Sequence, residues 1–389
     1  MFRRELSRTL EERLREPRSF IQVVMGPRQT GKTTAIKQAV KAAGLPVRVA
    51  SADSAIELGA DWIELEWRQA RNMAERGTKA VLVLDEIQKV AQWSQTVKRL
   101  WDEDSWNDAP LLVILSGSSS LLIGSGLSES LAGRYELLRS THWSLSEMSE
   151  AFGYSLSDYL EFGGYPGAAI LKSDEDRWRE YMRDSIVEST ISRDVLQMEN
   201  VRKPALMRAL FELGAQYSAQ ELSYRKILGQ LDDKGNTDTI KHYLDLLSGA
   251  GMISGLQKFD DKPIKAKASS PRLMVHDPAL MTSMWHGKGS LLEDPDLYGH
   301  LVETAVGAYL IARSAIDGFD LYWWRDGNLE VDFVLRRARD ITAIEVKSGR
   351  VSKSDMGAFC KAYPKASPII VGDRNTPLED FLRGKVPLF

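Results

Sequence analysis

Only one cysteine, Cys360, occurs in 389 residues. An internal disulfide needs two thiols and zinc sites of the paired-cysteine type need more, so both are excluded, and a reducing compartment fits this usage. Long apolar runs are missing too. Stretches such as Ala80–Leu84 and Leu111–Leu115 fall far short of the roughly 20 residues that span a bilayer. The start, Met1-Phe2-Arg3-Arg4-Glu5, is charged where a secretory signal needs an apolar segment. These absences point to a cytoplasmic protein without membrane contact. Charge of one sign is also lacking: 51 lysines and arginines stand against 54 acids, a net charge of −3. With no chain-wide basic field to attract nucleic acid, any DNA contact has to be local. Internal repeats and low-complexity tracts are absent as well.

What is present reads as a folded chain of several domains. Hydrophobic residues make up 43% and charged residues 27%, inside the range of globular proteins and far from disordered ones. The length suggests two to three domains. Residues 1–16 have the pattern of an amphipathic helix, and a strand is predicted at Phe20–Met25. Apolar runs at Val47–Ala50, Ala80–Leu84 and Leu111–Leu115 then alternate with helical patterns, as expected for an α/β fold with a parallel sheet covered on both faces. From about residue 144 to Glu199 helical segments take over, broken by Gly163-Gly164-Tyr165-Pro166-Gly167, and these read as a helical lid. Short helices and a strand pair follow over 204–275. A last α/β block opens with a helix at Leu297–Ile311 and continues with strands at Leu321–Trp324, Leu329–Leu335 and Ile341–Lys347.

The segment Gly26-Pro27-Arg28-Gln29-Thr30-Gly31-Lys32-Thr33 fits G-x-x-x-x-G-K-[ST] between an apolar strand and a helical pattern, the context of a phosphate-binding loop. Glycines let the backbone wrap an anion, and successive N–H groups with the helix N-terminus supply partial positive charge. Gly26 to Thr33, with Thr34, are the expected ATP-binding residues. Lys32 would reach the β- and γ-phosphates and Thr33 would ligate Mg2+. Some fifty residues on, the strand Val81-Leu82-Val83-Leu84 ends in Asp85-Glu86. Asp85 would hold the metal through water, and Glu86 would polarise the attacking water. A third strand ends at Ser116-Gly117-Ser118-Ser119. In a parallel sheet its carboxyl end opens toward the same crevice, making Ser116 the candidate sensor of the γ-phosphate, with Ser118 competing and helix capping the bland alternative. Arg134, in Ser130-Leu131-Ala132-Gly133-Arg134, would stabilise transition-state charge in cis or in a neighbouring subunit.

Taken together, Gly-Pro-Arg-Gln-Thr-Gly-Lys-Thr at 26–33, Leu-Asp-Glu-Ile-Gln at 84–88, Ser-Gly-Ser-Ser at 116–119, Leu-Ala-Gly-Arg at 131–134 and Gly-Gly-Tyr-Pro at 163–166 resemble the bacterial and archaeal AAA-type ATPases related to the archaeal ATPase group. The resemblance implies a P-loop NTPase domain of AAA type at 1–143, a helical lid at 144–200, a winged helix-turn-helix at 201–275 and a C-terminal α/β domain like the restriction endonucleases at 285–389.

The middle segment offers candidates for the winged helix. Leu206–Ala215, Tyr224–Leu231 and Thr237–Leu247 read as three helices, with Asn236 or Thr237 able to cap the third, and Met252–Phe259 as a strand. Ile240, Tyr243, Leu244 and Leu247 form the buried stripe of the third helix. Its other face carries Asp238, Lys241 and His242. Lys258, Lys262, Lys265, Lys267 and Arg272 cluster in a hairpin that could neutralise phosphates and make DNA binding salt-dependent, although Asp238, Asp260 and Asp261 dilute this charge.

In the last block, alternation puts Glu345 and Lys347 on one strand face, while Glu330 and Asp332 share a face of the strand before it. Glu303 lies in the preceding helix. Asp332 and Glu345 could hold one or two Mg2+ ions, with Glu303 completing the shell and Lys347 orienting or activating water. This order resembles the D…(D/E)-x-K pattern of restriction-endonuclease-like nucleases, including Holliday-junction resolvases, with Val331 where a proline often precedes the aspartate. The alternative is a vestigial domain in which acids and lysine form salt bridges. Trp323 and Trp324 read as core, and Cys360 as a buried small residue.

The expected function is an ATP- and Mg2+-dependent machine, a homo-oligomer if Arg134 acts in trans, that remodels or cuts duplex or branched DNA. The competing reading is a nucleotide switch with an inactive adaptor domain binding a protein partner. A small-molecule kinase would leave residues 200–389 without a task.

Overall fold

A short amphipathic helix, α1 (Glu5–Arg15), leads into β1 (Ile21–Met25), four apolar residues and Gln22, every one of them buried. The structure is a computed structural model. It describes residues 2–53, 59–74, 78–117, 127, 130–196, 201–231, 236–260, 269–285, 292–348 and 354–389. These fall into two compact units, residues 1–141 and 142–389.

In the first unit, α2 (Lys32–Ala43), β2 (Val47–Ser51), α3 (Ala60–Ala74), β3 (Ala80–Asp85), α4 (Trp93–Trp106), β4 (Leu111–Gly117) and β5 (Tyr135–Arg139) follow β1. The strands form one parallel sheet in the order β2-β3-β4-β1-β5. The central strands β1, β3 and β4 are near-continuous apolar runs because both faces are covered. On one face α1 and α2 bury Leu10, Leu14, Ile36 and Val40 against Val24 and Ile114. On the other, Ile63 and Trp67 of α3 and Val97 and Trp101 of α4 pack over Val23, Leu82 and Val113. The sheet expected from the alternating pattern is the sheet observed, with strand ends within one or two residues.

The second unit begins with α5 (Leu145–Phe152) and α6 (Leu156–Phe162), each opened by a capping box, Ser144 with Glu147 and Ser155 with Asp158. Next come α7 (Glu175–Glu180), continued by wider π-helical turns at Tyr181–Glu188 and Thr190–Val195, then α8 (Pro204–Gln216), α9 (Tyr224–Gln230) and α10 (Thr237–Gly249). Asn236 caps α10 by accepting from the Thr239 amide at 2.8 Å. The chain continues through β6 (Ile253–Lys258), β7 (Arg272–Val275), α11 (Pro278–Thr282), α12 (Pro295–Asp317), β8 (Asp320–Asp326), β9 (Leu329–Arg337), β10 (Asp340–Val346), α13 (Met356–Ala362), β11 (Ser367–Val371) and α14 (Leu378–Leu382).

Two expectations meet a different arrangement here. The strand pair of 201–275 and the strands of 285–389 share one six-stranded sheet, β11-β10-β9-β8-β6-β7. The end of β6 pairs in parallel with β8, Gln257 opposite Tyr322 and Lys258 opposite Trp323, and Phe259 is buried with Trp324 and Phe359. The glycine break at 163–164 is a packing device inside this unit. A Cβ on Gly163 would lie 2.0 Å from Asp277 Oδ1, and the Gly164 amide donates to Asp277 Oδ2 at 2.8 Å. Asp277 Oδ1 in turn caps α11 by accepting from the Ala279 amide at 2.9 Å. Trp323 and Trp324 are both core, while Cys360 is half-buried beside the same cluster. Among the described residues no helix is long and apolar enough to cross a membrane.

Candidate functional site

The loop after β1 is held by a close approach. A side chain at Gly26 would meet the Ser140 carbonyl oxygen at 1.9 Å, so only glycine fits between β1 and the residue that follows β5. Gln29 (φ 62°) and Gly31 (φ 83°) are left-handed, and the alternation turns the loop into a concavity of the kind that binds anions. Thr30 Oγ1 donates to Pro27 O at 2.9 Å and lies 3.0 Å from Ser140 Oγ. Buried Arg4 donates to Thr30 O at 3.0 Å and to Ser140 Oγ at 3.2 Å. Lys32 Nζ lies along the loop, donating to the carbonyls of Gly26 (2.9 Å) and Pro27 (2.7 Å). Thr33 and Thr34 are exposed on the first turn of α2, and Arg28 is half-buried.

Because β1, β3 and β4 are parallel, their carboxyl ends open at one edge of the sheet. There Thr33 Oγ1 donates to Asp85 Oδ2 at 3.0 Å, and buried Ser116 donates to Asp85 Oδ1 at 2.5 Å. Ser116, the expected γ-phosphate sensor, is thus hydrogen-bonded to Asp85 at the carboxyl end of β4. Ser118, the competing residue, lies outside the described residues. Glu86 adopts φ 54°, and its carboxylate accepts from Gln88 Nε2 at 2.5 Å.

Arg134 is at the other edge. It directly precedes β5, whose Tyr135 pairs with Ile21 at the start of β1, and its carbonyl accepts from the Ile21 amide at 2.8 Å. Five strand residues at about 3.3 Å each put it roughly 16 Å from the loop. It therefore stands at the edge of the sheet away from its own loop. Its guanidinium forks onto Asp102 of α4 at 2.7 and 3.0 Å, an ion pair that raises its pKa.

In the second unit, two of the acids expected to hold metal, Asp332 and Glu345, have hydrogen-bond and ion-pair partners. Asp332 Oδ2 accepts from the Val346 amide at 2.8 Å, and Oδ1 faces Arg272 Nη1 at 3.3 Å. Arg272 also pairs with Glu330, while Glu345 accepts from Lys347 and Ser354. Burial, with the Asp332 carboxylate second, pushes the Glu303 carboxyl up to about 8. Among the described residues no group of three or more Asp, Glu, His or Cys side chains could hold a metal ion. In the expected site of Glu303, Asp332 and Glu345 with Lys347, Arg272 stands against Asp332 and Lys347 against Glu345.

This gives a pH prediction. Glu303 keeps its proton in the folded chain up to about 8, against 4.5 for the free group, so stability falls as pH rises through that window. Glu303→Gln should remove this slope and be more stable than wild type above pH 8, by on the order of 1–2 kcal/mol. Urea denaturation at pH 5, 7 and 9 checks it; parallel profiles for the two proteins would contradict it.

The expected basic wing is not assembled among the described residues. Lys262, Lys265 and Lys267 lie outside them. Lys258 is half-buried in β6, Arg272 is buried, and exposed Lys241 sits 5.1 Å above the Tyr224 ring.

Residues 18–149 match the family of the AAA domain. The first unit is an AAA-type P-loop domain. Two further families, both domains of unknown function, match residues 153–291 (DUF8612) and 298–385 (DUF4143). No curated protein matches the chain. Solved structures similar to it include the Thermotoga maritima RuvB Holliday junction branch migration motor, with TM-score 0.35, 17% identity and coverage of 64% of this chain and 87% of that one. Another is Cdc6p from Pyrobaculum aerophilum, with TM-score 0.33, 13% identity and coverage of 72% and 91%. At that level neither likeness carries weight on activity.

Arg4 and Ser140, which buttress the loop of the AAA domain, escaped the sequence reading. Nothing local marks them, since they meet Thr30 only through the folded sheet, 26 and 110 residues away in sequence.

Proposed function

We infer that the chain is a Mg2+-dependent ATPase whose second unit binds DNA without cutting it. The observation that carries the ATPase reading is the meeting of the Thr33 hydroxyl and the Asp85 carboxylate, 3.0 Å apart, beside the loop concavity. A hydroxyl and a carboxylate are the hard oxygen donors that Mg2+ prefers. Gly26, Pro27, Arg28, Gln29, Thr30, Gly31 and Thr34 would frame the phosphates with backbone N–H groups. Lys32 would exchange its two loop carbonyls for β- and γ-phosphate oxygens. A divalent cation held there by Thr33 and Asp85 would supply positive charge against the charge that develops in the transition state. Ser116 would fix the Asp85 carboxylate, and Glu86, which accepts from Gln88, would orient the attacking water. Arg134, far from its own loop, would serve a neighbouring copy in a homo-oligomer.

The DNA reading rests on element order. Helices α8, α9 and α10 are followed by the antiparallel pair β6 and β7, and Glu221 bridges to Arg272, the order of a winged helix-turn-helix. Lys241, Lys258, Lys262, Lys265 and Lys267 would contact phosphates. The succession α12-β8-β9-β10-α13-β11, with three antiparallel strands and β11 parallel to β10, supports a restriction-endonuclease-like fold whose acids are salt-bridged.

ATP hydrolysis by the full chain, measured with no DNA, single strands, duplex and four-way junctions at two salt concentrations, tests this reading. Stimulation by one DNA form that fades with salt is expected, with no strand scission in Mg2+. Turnover indifferent to every DNA would remove the DNA role and favour a nucleotide switch that acts on a protein partner.

A further inference from the structure

Two surface features of the AAA domain have no assigned role in the site described above, although the second adjoins it. Trp106, the last residue of α4, is 89% exposed, the most exposed large apolar side chain among the described residues. It stands at the amino edge of the sheet, and Asp108 just beyond it takes a left-handed φ of 52°. Asp102, one helical turn before Trp106, is the residue that grips Arg134. Residues four apart on a helix face the same way with Cβ atoms about 5–6 Å apart, so Trp106 and Arg134 share one surface.

The second feature is an open apolar groove of about 320 Å3 between α2 and the edge strand β2. Ile36, Val40, Leu45, Val47, Val49 and Val83 line it, and Val49 is 48% exposed. Lys37 and Lys41 stand on its rim, and among the described residues neither has an ion-pair partner. One end of the groove reaches Thr33 and Asp85.

We propose that Trp106 of one copy seats in the α2–β2 groove of the next, forming a head-to-tail contact that brings Arg134 toward the neighbour's phosphate loop. The groove has the lining and the room for an indole, the side chain most favoured at the energetic centre of interfaces. Asp108, two residues beyond Trp106, exposed and unpaired among the described residues, is opposite in charge to Lys37 and Lys41 on the groove's rim. The two patches differ, so the contact is heterologous and each copy keeps one free knob and one free groove. The role of Arg134 rests on the ATPase reading; the docking itself does not.

Sedimentation velocity of the full chain with Mg2+ and ATP, at tens of micromolar, tests the contact with Trp106→Ala and Val49→Asp. Both positions are exposed, so both variants keep the fold. Wild type is expected to associate and each variant to sediment as a monomer. An equimolar mixture of the two should regain a dimer and nothing larger, because Trp106 of the Val49→Asp protein still meets an intact groove on the Trp106→Ala protein. A monomeric wild type, a variant that associates like wild type, or a mixture that stays monomeric would overturn the proposal. Binding of a fluorescent ATP analogue to wild type and to both variants checks the ATPase reading separately; no binding by any of them would remove that reading and leave the docking result standing.

Discussion

Asp85→Asn should lower ATP turnover by about 10²–10³-fold, the usual cost of losing one charge-stabilising group at a phosphoryl-transfer centre, while the protein stays folded. The carboxylate accepts from Thr33, from Ser116 and, at 3.2 Å, from the Glu86 amide. Asparagine keeps the shape and one acceptor oxygen but has no charge to hold a divalent cation. Asp85→Ala should add a stability loss of about 1–3 kcal/mol, because the hydroxyl of fully buried Ser116 is left without its acceptor. Phosphate release and urea denaturation of the two variants separate these effects. An asparagine variant that turns over at the wild-type rate would mean that Asp85 does not hold the metal.

The largest stability effect is expected in the second unit, at Gly163. An added Cβ would lie 2.0 Å from Asp277 Oδ1 and 2.7 Å from the Ala279 amide nitrogen, with φ at +65°. The Asp277 carboxylate cannot retreat without giving up its bonds from the Gly164 and Ala279 amides, and backbone does not yield as a flexible side-chain tip does. Overpacking and left-handed strain together predict a loss of about 3 kcal/mol or more for Gly163→Ala. Gly153→Ala is the control: φ is also positive, +69°, but nothing lies within 4 Å of an added Cβ, so only the conformational cost remains. Equal unfolding midpoints for the two variants would contradict the cradle.

Much of the first unit was legible because its strands are continuous apolar runs, and a phosphate-loop motif directly after such a run leaves few placements. Asp85 could be placed by the same logic, since it ends a parallel strand and all such ends share an edge. The position of Arg134 was legible too: a residue that precedes a parallel strand stands at the opposite edge from one that follows it, and that alone disfavours action in cis. The hydroxyl of Ser116 was not legible, because its choice between solvent and Asp85 depends on how neighbouring strands bring the two together.

The second unit was harder to read because its determining contacts are long-range. Helices α8 to α10 followed from apolar periodicity and the Asn236 cap. The joining of β6 to β8 did not, since hydrogen-bond pairing leaves no mark in either strand. Arg272 carried an overlooked signal: a lone charge ahead of Leu273-Met274-Val275 persists inside a sheet only with acidic partners, and half-buried Asp332 and Glu330 are those partners. Counted as one of a basic cluster, it suggested DNA; placed in the sheet, it faces Asp332, one of the acids that had suggested metal.

The most direct test of the ATPase assignment is phosphate release from ATP by the purified full chain, with Mg2+ and with the metal chelated, beside a Lys32→Ala variant shown by circular dichroism to be folded. The predicted result is turnover that needs both Mg2+ and Lys32. Turnover that survives chelation or the loss of Lys32, or none from the associated wild-type protein, would contradict the assignment of Gly26–Thr33 and Asp85 as the hydrolytic site.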